Sequence, residues 1–187
     1  MDSNSSKYYA WAITLFAAAG ALYIWRRGQS NPPSLINNYW DMRTNPKLPR
    51  GYRNNNPLNI RKSANTWKGK IYIGNTDGTF EQFENMAYGY RAAFKLMQTY
   101  IKKYGCDTVA KIISRWAPEN ENNTSAYINH VCRFGNLTPD TVVQPNSQDV
   151  LTRMAYAMSI VENGNTEVTR EAGLPDMDII YEGWKLI

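Results

Sequence analysis

The chain has 187 residues, a formal net charge of +5 and 13% aromatic residues, enough for one packed domain with an appendage. The charge is unevenly placed: residues 1–50 carry six Lys/Arg against two Asp/Glu, and residues 51–187 carry fifteen against fourteen. Most of the chain is therefore close to neutral, which removes the electrostatic support a nucleic-acid binder needs, and no nucleic-acid partner is expected.

Tyr8–Trp25 is eighteen residues without a charge, bounded by Lys7 and by Arg26–Arg27. Tyr8, Tyr9 and Trp11 stand at one end and Tyr23 and Trp25 at the other, an aromatic belt at each interface of a span just long enough to cross a bilayer. A secretory signal peptide would need a basic start, a shorter apolar run and a small-residue cleavage site; here an arginine pair follows the run. The expectation is a membrane-anchor helix within residues 1–28, contacting the bilayer through residues 8–25 and making this a single-pass membrane protein. The arginine pair puts the following chain on the cytoplasmic side or its equivalent. Residues 29–49, with Asn31-Pro32-Pro33-Ser34, Asn45-Pro46 and Pro49, read as a flexible tether, and a domain begins near Arg50.

Arg53–Arg61 (RNNNPLNIR) suits neither helix nor strand. Asn competes for local backbone hydrogen bonds, and Pro57 bars Asn56 from the helical region. Such a loop either satisfies its own backbone or presents amides to a ligand. Amides that both donate and accept suit the hydroxyl and N-acetyl groups of a sugar.

Beyond it, Trp67–Ile73 and Thr79–Phe83 alternate apolar and polar residues around a Gly74–Gly78 turn cluster, predicting a small β-hairpin. Ala87–Tyr104 has helical spacing, with Tyr90, Phe94, Met97 and Ile101 on one face and Gly105 as its stop. Asp107 or Thr108 caps a second helix that stops at Pro118, and Asn123 or Thr124 caps a third that ends at Gly135. Ser147 caps a fourth, running from Val150 to Val161 and ending at Glu162-Asn163-Gly164, and Pro175 begins a last one through Trp184. The fold class expected is mainly α with one small hairpin.

His130 is the sole histidine, which argues against a histidine triad or a multi-histidine zinc site. Cys106 and Cys132 match no metal spacing and read as free buried thiols, with a disulfide as the alternative. No phosphate-binding or dinucleotide loop is present. No cofactor and no metal are expected, and what remains is carboxylate chemistry. Glu162 closes an apolar helical run. Burial and the negative end of the helix dipole both disfavour its anion there, as general acid catalysis requires. The alternative is a solvent-facing glutamate at a helix end.

RNNNPLNIR, Phe80–Phe83, Gly89–Tyr100, Arg115–Ile128 and Ile160–Gly164, in that order, resemble small phage and prophage lytic proteins often catalogued as virion structural proteins. They are similar to the murein-degrading enzyme of enveloped double-stranded RNA phages. The resemblance covers about Arg50 to Ile187 and implies a lysozyme-like domain of the lytic transglycosylase type over residues 50–187. In the wider superfamily the glutamate precedes the Asn-rich segment; here the order is reversed, which implies a circular permutation. The resemblance further implies that Glu162 is the acid, with Glu121 as its rival, and that Asn55, Asn56 and Asn59 bind sugar. Arg61 would hold a lactyl or peptide carboxylate, Tyr127 and Trp116 read as core residues with stacking on a sugar ring as the alternative, and Asp77 or Glu121 would be the second carboxylate of a hydrolase. Pro57-Leu58 replaces the usual Pro-Gly and would narrow the cleft floor. The expected function is cleavage of peptidoglycan glycan strands, by transglycosylation or hydrolysis, in a virion membrane or host envelope, with other virion proteins as partners. The alternative is a non-catalytic membrane-anchored virion protein that binds peptidoglycan.

Overall fold

Seven helices are described in the computed structural model, which covers residues 43–120 and 123–187. These residues belong to one unit, Tyr39–Ile187. The anchor at residues 8–25, most of the tether and Glu121 lie outside the described residues. Among the described residues no helix is long and apolar enough to cross a membrane.

The first helix, α1 (Arg50–Arg53), is a single turn that puts Tyr52 into the core. The Asn-rich loop follows. Asn55 and Asn59 take the left-handed conformation at φ 52° and 49°, a region Asn tolerates better than most residues. Asn56 ties the loop together: its amide donates to the carbonyls of Ile60 (2.9 Å) and Glu81 (3.0 Å), and its oxygen accepts from the Ile60 N–H (2.9 Å). Leu58 is 1% exposed and packs in the core, so it does not narrow a cleft floor.

The expected hairpin is reduced to isolated antiparallel bridges, Arg61 with Phe80 and Lys70 with Phe83. Residues 79–84 lie between two short neighbours: Lys62 N–H and Glu81 N–H bond to one side, Ile71 N–H and Glu84 N–H to the other. Gly69 and Gly74 take positive φ at either end of residues 70–73, leaving too little extended chain for a ladder.

The long α2 (Met86–Tyr104) is capped by the Asn85 side chain and closed by Gly105 at φ 65°. Its Tyr90, Phe94 and Met97 are fully buried, as the spacing predicts. Thr108 and not Asp107 caps α3 (Val109–Trp116), and the Asn123 side chain caps α4 (Thr124–Gly135). The buried α5 (Gln148–Asn163) packs against α1, α2, α4 and α7, with Leu151, Met154 and Met158 fully enclosed. Each of those side chains contributes about 2 kcal/mol of apolar burial. Two helices close the chain: α6 (Glu167–Glu171), which the sequence spacing did not suggest, and α7 (Met177–Lys185), capped by Asp176 just after Pro175. Short α6 carries a reciprocal Thr166–Thr169 capping box instead of an apolar period. Both cysteines are free and half-buried.

Candidate functional site

Glu162 sits in the last turn of α5, and its neighbour Asn163 is 7% exposed. Asn163 donates to the Pro57 carbonyl at 2.7 Å and to the Ser159 carbonyl at 3.0 Å, which fastens the Asn-rich loop onto the helix end. Two glycines let the loop approach. A methyl group on Gly89 would run into the Asn55 carbonyl, and one on Gly51 into the Asn163 side-chain oxygen. Gly89 thus lets the loop backbone, and Gly51 the side chains of Asn163 and Asn59, come closer than a larger residue would allow.

Docked this way, the loop delivers one amide to the carboxylate. Asn59 donates to Glu162 Oε2 at 2.9 Å, and the Tyr127 hydroxyl of α4 donates to Oε1 at 2.8 Å. Trp116, the last residue of α3, supplies a further side-chain hydrogen bond. Burial pushes the Glu162 carboxyl above the usual range, and these three neutral donors oppose the shift without cancelling it. The same burial, with the adjacent carboxylate, holds the Tyr127 hydroxyl protonated well above its ordinary value. The site can therefore hold a proton on a carboxyl that is fixed in orientation from both sides.

Glu162 opens onto a cleft of about 410 Å³. Asn59, Arg61 and Lys62 line it on the loop side, Trp67 and Phe80 come from the bridged segments, and Tyr100 and Trp116 close it from α2 and α3. Among the described residues lining this cleft, Glu162 is the one acid.

The predicted site residues separate into two groups. Asn59, Arg61 and Glu162 meet at the cleft. Asn55 and Asn56 do not reach it. They are 1% and 0% exposed, Asn55 donates to the Phe83 and Glu84 carbonyls, and Asn56 is consumed by the bonds given above. Their amides build the loop, because a buried polar group must be paired within the fold. Tyr127 is 8% exposed and offers Glu162 its hydroxyl, so it positions the acid and has no ring face for a sugar.

Asp77 is no second carboxylate for the cleft. Both its oxygens are held at 2.6 Å by the Arg50 guanidinium, Asn54 donates to it at 2.7 Å, and the N–H groups of Thr79 and Phe80 each donate at 2.9 Å. The Arg50 hydrogen bonds, followed by the backbone and Asn54 donors, hold its carboxyl far below the usual range against the opposing effect of burial. Among the described residues no cluster of His, Cys, Asp and Glu could hold a metal ion, and His130 is exposed. Sequence reasoning passed over Asn163, whose place in a Glu-Asn-Gly helix stop reads as punctuation. It also passed over Trp67 and Tyr100, whose aromatic rings look like core.

Fold and site together define a mainly helical domain in which an Asn-rich loop presents one amide to a glutamate at a helix end. The chain is 39% identical over 123 residues to Protein P5 of Pseudoalteromonas phage PM2, an overlap of 64% of this chain and 74% of that protein. It belongs to the family of that phage protein. No family model matches the sequence.

Proposed function

We propose that this phage protein cleaves the glycan strand of peptidoglycan, with Glu162 as the general acid, on a lysozyme-like domain of permuted order. The observation that carries this reading is the meeting of Asn59 and Glu162, 103 positions apart in the chain, at the wall of a polar cleft. The reversed order of loop and glutamate is then a difference of connection and leaves the site intact.

In the proposed reaction the strand lies along the cleft and Glu162 donates its proton to the glycosidic oxygen as the bond to the anomeric carbon breaks. Tyr127 and Asn59 stabilise the carboxylate that forms, one on each oxygen. Transglycosylation follows if the muramyl 6-hydroxyl attacks the anomeric carbon and returns its proton to Glu162. Hydrolysis needs a water in that place and a second carboxylate to direct it. Asp77 is committed elsewhere, which leaves Glu121 as the second carboxylate that hydrolysis would need. Arg61 at the cleft edge suits a lactyl or stem-peptide carboxylate, because a guanidinium pairs with a carboxylate through two parallel bonds. Residues 8–25 are proposed to anchor the domain in a membrane. Protease protection of the domain in particles, lost on detergent treatment, tests that placement.

Glu162→Gln tests the chemistry. The isostere keeps the hydrogen-bonded shape and loses the transferable proton, so turnover falls by about 10³-fold while binding to purified murein persists. Mass spectrometry of the digest distinguishes anhydro-muramyl ends from reducing ends. Unchanged release of fragments by the variant would overturn the reading. Absence of any cleavage by the wild-type protein, with binding intact, would leave a non-catalytic binder.

A further inference from the structure

The segment 71–76 carries the two most exposed large apolar side chains among the described residues, and they are neighbours: Ile73 is 95% and Tyr72 62% exposed. Their exposure is built in. Gln82, itself buried, holds both ends of the segment. Its carbonyl accepts from the Ile71 N–H at 2.8 Å, its side-chain oxygen accepts from the Thr76 N–H at 3.0 Å, and its amide donates to the Thr76 hydroxyl at 3.2 Å. Between these bonds Gly74 turns the chain at φ 83°, and a methyl group placed on it would meet nothing within 4 Å. The tip stands clear of the domain on a fixed base.

Cations flank the tip on both sides. On one, Arg43, Arg50 and Arg53 line a hollow of about 280 Å³ that Gly74 and Thr76 also line. Asp77 is its one acid among the described residues and is taken up by Arg50. Arg53 donates through Nε to the Leu48 carbonyl at 3.1 Å, and its two terminal nitrogens make no bond within the described residues. On the other side, Lys62 and Lys70 line a hollow of about 300 Å³ with Tyr72 and Asn75, and the Lys70 ammonium lies 5.2 Å from the centre of the Tyr72 ring. Glu81 takes up Lys70 there, which leaves Lys62 in excess.

A projecting apolar pair between two basic hollows matches the interface of an anionic bilayer. Isoleucine enters the acyl boundary, tyrosine sits at headgroup level, and guanidiniums pair with phosphate oxygens through two parallel bonds. A convex tip offers no groove to a polysaccharide or an extended peptide. Arg43 also begins the described chain, so the residues before it, with their uncharged run at 8–25, join the domain at this face.

We propose that the Tyr72–Ile73 tip and the Arg53 hollow form a docking face for an anionic phospholipid surface, which holds the domain against the bilayer. The face draws on the anchor proposed above, which keeps a bilayer at hand, and is independent of the role of Glu162.

The test uses the full-length protein in vesicles, with Cys106→Ser and Cys132→Ser. An environment-sensitive fluorophore is attached at Ile73→Cys or, as control, at Val142→Cys, an exposed position that lines neither hollow. The vesicles contain phosphatidylcholine alone or in equal parts with phosphatidylglycerol. On the anionic vesicles the probe at 73 is expected to enter apolar surroundings, with a blue shift and protection from an aqueous quencher, while the probe at 142 stays in water. Arg53→Gln lowers the docked-to-free ratio about fivefold, as the loss of one basic residue at an anionic surface requires. Concentrated salt lowers it as well. Circular dichroism melting confirms that each variant is folded. A probe at 73 that stays in water, in protein that floats with the vesicles, overturns the face and leaves the anchor standing. Equal signals from both positions, or a signal at 73 raised by purified murein and not by lipid, overturn it too. Protein that floats with neither kind of vesicle removes anchor and face together.

Discussion

Asp77 and Glu162 are two carboxylates held by asparagines of one loop, Asn54 on the first and Asn59 on the second, and their acidities move in opposite directions. The difference lies in the other donors. Asp77 faces a guanidinium and two backbone N–H groups, and charge-assisted bonds fix it as an anion. Glu162 receives an amide, a phenol and an indole, all neutral, in a site where burial dominates. A carboxylate surrounded by cationic donors becomes part of the frame. One surrounded by neutral donors in a buried site is held above the usual carboxylate range.

That contrast can be broken at the frame first. Asp77→Ala leaves Arg50, Asn54 and two backbone N–H groups without their acceptor, and the unfolding free energy falls by about 3 kcal/mol. Urea titration at neutral pH measures it. The folded pKa of Asp77 is depressed, so its contribution is present above the ordinary carboxylate range and fades as pH falls through the folded value. The gap between variant and wild type therefore narrows in strong acid.

Next comes the tie between loop and helix. Asn163→Ala removes the bonds to Pro57 and Ser159, with an expected loss of about 2 kcal/mol and a faster exchange of loop amides. Proteolysis within residues 53–61 should accelerate as well. If neither changes, the loop is held by Gly51 and Gly89 packing alone.

Tyr127→Phe sharpens the comparison at the acid. The lost hydroxyl bonded the charged form of Glu162, so the carboxyl moves further upward and the alkaline limb of the pH–rate profile shifts to higher pH. The maximal rate falls about tenfold, the equivalent of one hydrogen bond in the transition state. A rate loss with no shift of the limb would mean that Tyr127 acts only through packing.

The smallest effect is on stability at Glu162 itself. A carboxyl with a raised folded pKa binds its proton more tightly when folded, so stability falls as pH rises from the ordinary carboxylate value through the folded one. Glu162→Gln has no such dependence. The variant should gain on the wild type across that window and match it below; melting curves at a series of pH values show whether it does.

How the Asn-rich loop reads from sequence illustrates what was legible. The amides of RNNNPLNIR all find partners within the protein: Asn54, Asn55 and Asn56 bond to the surrounding frame, and Asn59 bonds to the Glu162 carboxylate at the cleft. Four amides of one chemical kind carry nothing locally that separates them. The hairpin failed for a related reason. Alternation marks extended chain, but positive φ at Gly69 and Gly74 shortened it below a ladder.

By itself the sequence placed the helices of residues 86–185, apart from α6, to within about two residues, because caps, glycine stops and the 3.6-residue apolar period are written within a few neighbouring positions; the Ser147 side chain makes no cap bond, and α7 starts at Met177 rather than Pro175. It also singled out Glu162, by the apolar run before it and the Asn-Gly after it. Only the tertiary structure decided which asparagine meets which acid, since Asn59 and Glu162 are 103 positions apart and Pro57 and Asn163 are 106. A side chain's acidity and function depend on the donors that surround it in space, and those donors come from α3, α4 and a loop that local spacing cannot bring together.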